Sequence, residues 1–173
     1  MDIRSKKTSH IAKGGLFTAI GFIFIYLSTI VPVNKAYLLA IASCIIPLCL
    51  ITTNVKNAIV VYMSTSLLAL LVCGTRITVV LYIIFFGLYG LVKYYIEILR
   101  RLYIELILKL LFFNIELAIL FLIYKLFFPA LLKVALPLYI VIAAAQVAFL
   151  VFDYILTVFI NYSNKHFVKK LNL

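Results

Sequence analysis

The chain has 173 residues, of which 67% are hydrophobic and only 12% charged, a composition that excludes an ordinary soluble domain and demands an apolar solvent around it. The formal net charge of +11 would suit a nucleic-acid ligand if the cations were clustered on a folded surface, but they sit in the gaps between apolar runs. In that position lysine and arginine set the orientation of a membrane protein, and no nucleic-acid partner is expected.

Residues 1–13 form a basic tail with Arg4, Lys6, Lys7 and Lys13, and a first apolar run follows over 14–30. No small-x-small cleavage site follows Ser28-Thr29-Ile30-Val31-Pro32, so this run reads as a retained span rather than a signal peptide. Pro32-Val33-Asn34-Lys35 breaks it. The second span covers 36–51 and contains Pro47, whose missing N–H should kink the helix while neighbours satisfy the freed carbonyl. A polar break at Thr52-Thr53-Asn54-Val55-Lys56-Asn57 leads into a third span over 58–73. Gly74-Thr75-Arg76 then turns the chain into a fourth over 77–96.

Between residues 97 and 109 the charges Glu97, Arg101, Glu105 and Lys109 recur every four residues, which places them on one stripe of a helix. The segment reads as a cytoplasmic helical connector, either interfacial or continuous with its neighbours. A fifth span covers 110–128, Pro129, Lys133 and Pro137 mark a loop, and a sixth span covers 138–160 before a polar tail over 161–173 with Lys165, Lys169 and Lys170.

The expected fold is therefore an all-α integral membrane protein, a single compact bundle of about six transmembrane helices. With the N-terminus inside, twelve Lys and Arg residues fall on the cytoplasmic side, whereas only Lys35, Arg76, Lys125 and Lys133 fall outside. That bias puts both termini in the cytoplasm and the chain in the cell membrane as a multi-pass protein.

Chemistry is sparse. Cys44, Cys49 and Cys73 lack paired spacing, and His10 and His166 lie in the polar tails. No metal site, catalytic residue or cofactor is implied, and an enzyme is not expected. Two carboxylates, Glu116 and Asp153, stand well inside apolar runs, where an unpaired charge is costly. At 1.5 Å per residue from the cytoplasmic ends of their spans, Lys93, Glu116 and Asp153 lie roughly 6, 10 and 12 Å deep. Lys93 held between the two acids would form a buried charge layer across three spans, with Asn114 adding a hydrogen bond; the alternative is that Lys93 snorkels to the interface and meets Glu97. Tyr62, Thr65 and Gln146 are candidate ligand-lining groups, or equally interhelical hydrogen-bonding residues.

Small residues in the first span give small-xxx-small pairs at Gly14/Thr18 and Gly15/Ala19, suited to close approach of another helix inside or outside the bundle. The run Lys13-Gly14-Gly15-Leu16-Phe17-Thr18-Ala19-Ile20-Gly21, the break at Pro32 and six short spans together resemble the substrate-binding S components of energy-coupling factor (ECF) importers. The resemblance implies a six-helix bundle that binds a small-molecule micronutrient near its outer face. It also implies docking of Gly15 and Ala19 on a transmembrane coupling protein attached to ATPase subunits. In size and multispan character the chain is also similar to MreD-like membrane scaffolds of cell-envelope elongation or sporulation complexes, which neither bind a substrate nor use an ATPase.

Overall fold

In the computed structural model of the protein, residues 3–127 and 138–171 are described; the loop expected around Pro129, Lys133 and Pro137 lies outside them, as does Asp2. Within the described residues there are helices and no strands, and six helices are long and apolar enough to cross a membrane. They are α1 (Ile3–Ile30), α2 (Lys35–Thr52), α3 (Val55–Cys73), α4 (Ile77–Glu97), α5 (Leu102–Phe127) and α6 (Leu138–Leu171). Their exposed faces are apolar: Leu71 is 74% exposed and Tyr154 70%, an arrangement that costs heavily in water and nothing in lipid. The fold thus supports a multi-pass membrane protein.

The breaks have local causes. Asn34, which tolerates a left-handed backbone better than most residues, adopts φ 62° and starts α2. The Asn54 side chain caps α3 by accepting a hydrogen bond from the Asn57 N–H at 2.8 Å. Gly74 closes α3 at φ 69°, where a side chain would be strained. Pro47 remains inside α2, and its ring lies where Gly90 of α4 lets the two helices approach: a Cβ at Gly90 would stand 3.0 Å from Pro47 Cδ.

Two features add to the sequence expectation. Helix α4 contains a π turn over Tyr82–Phe86, closed by the Gly87 N–H donating to the Tyr82 carbonyl. Of the segment 97–109, residues 102–109 continue into the fifth span, and a break separates them from α4. The chain leaves α4 at Glu97, passes through Arg100 in the left-handed region at φ 50°, and re-enters a helix at Leu102, so that residues 102–109 are the first two turns of α5. The four-residue charge stripe is broken at that point, because Glu97 and Arg101 no longer share a helix with Glu105 and Lys109.

The chain forms two compact units, one of residues 1–94 with 158–173 and one of residues 95–157. In the first unit α1 packs on α2 and α3. The core joins Ile25, Leu39, Ala42, Ala69, Val79 and Tyr82 in one cluster and Ile46, Cys49, Ala58, Val61 and Leu91 in another. In the second unit α5 and the first part of α6 run antiparallel, with Phe113 and Phe149 stacked at 4.5 Å and 9°.

Candidate functional site

The small residues of α1 divide between two faces. Gly14 and Gly21 are buried with Ile25 and Ser28 along one stripe. A Cβ on Gly14 would fall 2.8 Å from Asn57 Oδ1, and one on Gly21 would fall 3.2 Å from Thr65 Cγ2. Glycine is therefore what lets α1 sit close to α3. Gly15 and Ala19 point elsewhere: both are exposed, and a Cβ at Gly15 meets nothing within 4 Å. Thr18 turns its hydroxyl back to the Gly14 carbonyl at 3.0 Å, so the outward ridge presents little polarity of its own.

Tyr62 and Thr65 lie on neighbouring turns of α3 in the first unit. The Tyr62 hydroxyl donates to the Ile83 carbonyl at 2.8 Å, inside the π turn, while its ring covers Gly87, where a Cβ would come within 2.8 Å. Thr65 is fully buried and donates to the Val61 carbonyl at 2.6 Å. In this structure both hydroxyl protons are engaged by backbone, Tyr62 as a clasp on the π turn and Thr65 as an intrahelical bond. Gln146 belongs to the second unit, where its side-chain amide donates to Asn114 Oδ1 at 3.4 Å.

In the second unit Lys109 lies between two carboxylates. Its ammonium lies 3.0 Å from Asp153 Oδ2 and 3.2 Å from Glu97 Oε1, with the Lys109 side chain only 10% exposed. The fold-back at Arg100 brings Glu97 to Lys109, and the antiparallel pairing of α5 with α6 brings Asp153. By sequence Lys109 falls at the cytoplasmic start of the fifth span, and the signal that points to it is its spacing of seven residues from Glu116, which puts both on one face of a helix.

Glu116 occupies that same face two turns further along α5. It is buried, and its Oε2 has no hydrogen-bond partner. Lys93, the cation of the expected layer, is in the first unit, fully buried, with its Nζ 6.0 Å from the centre of the Tyr89 ring. Among the described residues no three His, Cys, Asp or Glu side chains converge as metal ligands would.

The first unit thus presents an exposed ridge of small residues on α1, and the second an ion cluster that joins Glu97 and Lys109 to Asp153 of α6. No family model matches the chain, and no curated protein or solved structure matches it either.

Proposed function

We propose that this chain is the substrate-binding membrane subunit of a micronutrient importer that works with a separate transmembrane coupling protein and ATPase subunits. The reading rests on the local pattern of the first span, and the observation that supports it best is the outward ridge of Gly15 and Ala19. Glycine and alanine on an exposed helix face within a bilayer give up favourable lipid contact unless a second helix approaches there, since close backbone contact is the main driving force for helix association in lipid.

The corresponding experiment is co-purification of tagged full-length protein from its native membrane. Gly15→Leu and Ala19→Leu should each deplete the bound partners at least tenfold, while the variants still elute as folded monomers, because a Cβ at Gly15 meets nothing within 4 Å and Ala19 is exposed. Recovery of ATPase subunits with the wild type supports the importer reading. Recovery of envelope-assembly proteins without ATPases would transfer the same ridge to a non-transporting scaffold. Undiminished partner recovery in both variants would remove the ridge as a docking surface.

A further inference from the structure

Charge is unevenly divided between the two units. Eleven of the sixteen Lys and Arg residues belong to the first unit, whereas four of the five acids belong to the second. The first unit's own side-chain acid is Asp2.

Most of these cations gather at three chain segments: the N-terminal turns of α1, the turn between α2 and α3, and the C-terminal turns of α6. The first two are tied together, because the Asn57 side chain donates to the His10 carbonyl at 2.8 Å. Helix lengths explain how the cations reach the membrane surface. At 1.5 Å per residue α1 extends about 42 Å and α6 about 51 Å, against a hydrocarbon core of about 30 Å. Each helix therefore projects beyond the core, and six crossings bring the N-terminal end of α1 and the C-terminal end of α6 to one side.

Lys13, Lys56 and Lys165 are exposed, and each stands close to the point where its helix leaves its apolar run. That is the depth of phospholipid headgroups, closer to the membrane than a soluble acidic partner would approach. We propose that this basic end of the first unit is a binding surface for anionic phospholipids, with Lys13, Lys56 and Lys165 contacting the headgroup phosphates.

The test is native mass spectrometry of the purified full-length protein titrated in detergent with phosphatidylglycerol or with phosphatidylcholine of the same acyl chains. The wild type should retain phosphatidylglycerol at least tenfold better, and the preference should shrink as ionic strength rises. Each lysine near the surface contributes about fivefold, so Lys13→Gln/Lys56→Gln/Lys165→Gln should bring the two lipids level. Lys35→Gln/Arg76→Gln, which neutralises the opposite end, should keep the preference. Equal retention of the two lipids by the wild type would overturn the proposal and leave the cations to an acidic protein partner or to orientation alone. Equal loss in both variants would overturn the assignment to this end.

Discussion

Replacing Lys109 with methionine is expected to lower the thermal unfolding midpoint in detergent by on the order of 5–10 °C, because it takes from Asp153 and Glu97 the ammonium that now lies 3.0 and 3.2 Å from them. Breaking a buried pair by removing one member costs about 3–5 kcal/mol, and the Glu97 side chain, 30% exposed, recovers part of its solvation, which sets the expectation near the lower value. Stability should return when the two carboxylate charges are removed too. Lys109→Met combined with Glu97→Gln and Asp153→Asn is expected to recover most of the loss, since neutral groups carry a far smaller desolvation cost. A midpoint unchanged in Lys109→Met would show that the cluster contributes nothing to the fold. A triple variant no more stable than the single one would show that the loss came from packing of the lysine stem rather than from charge.

Leucine at Gly87 is expected to be as damaging as leucine at Gly15 is harmless. The Gly87 Cβ alone would lie 2.8 Å from the Tyr62 ring and 3.1 Å from Tyr82, both carried on packed helices. The larger side chain must therefore displace Tyr62 and break its hydrogen bond to the Ile83 carbonyl. Overpacking costs about 1–3 kcal/mol and the lost hydrogen bond about 1 kcal/mol more, so the folded fraction after mild heating should fall sharply. Tyr62→Phe keeps the ring and removes only the hydroxyl, and should cost about 1 kcal/mol. Comparable melting of Gly87→Leu and Gly15→Leu would contradict the close contact at the π turn.

The six spans were legible because a bilayer fixes the length of apolar run that must be found, and Pro32, Asn34 and Gly74 mark breaks with side chains that resist helix or tolerate left-handed backbone. The turn at Arg100 was not legible. Ile98-Leu99-Arg100-Arg101 contains good helix formers, and the four-residue charge stripe argues for continuity, yet the chain folds back there and Glu97 meets Lys109. Local propensity gave way to tertiary pairing.

The rotation of α1 about its axis was hidden for a related reason. Gly14 and Gly15 differ by 100° on a helix, and nothing in an all-round apolar sequence says which of them faces the bundle. Only packing against Asn57 and Thr65 assigns Gly14 and Gly21 inward and leaves Gly15 and Ala19 outward. The π turn likewise follows from the fit of Gly87 beneath Tyr62 and has no sequence signature of its own. Asp153 was recognised as a buried acid in need of a cation. The Lys109 ammonium beside it is not legible, because a sequence pattern does not define the register of α5 against α6.

Six crossings of the bilayer with the basic ends on the cytoplasmic side are the proposed topology, and the turns on either side of α4 test it most directly. After Cys44, Cys49 and Cys73 are replaced by alanine, a single cysteine is introduced by Arg76→Cys or by Arg101→Cys, and intact cells are treated with a membrane-impermeant maleimide before and after permeabilisation. Arg76→Cys is predicted to react in intact cells and Arg101→Cys only after permeabilisation, since α4 is long and apolar enough to cross between them and the positive-inside bias places Arg101 in the cytoplasm. Labelling of both positions from the same side would contradict the crossing by α4 and with it the six-span topology.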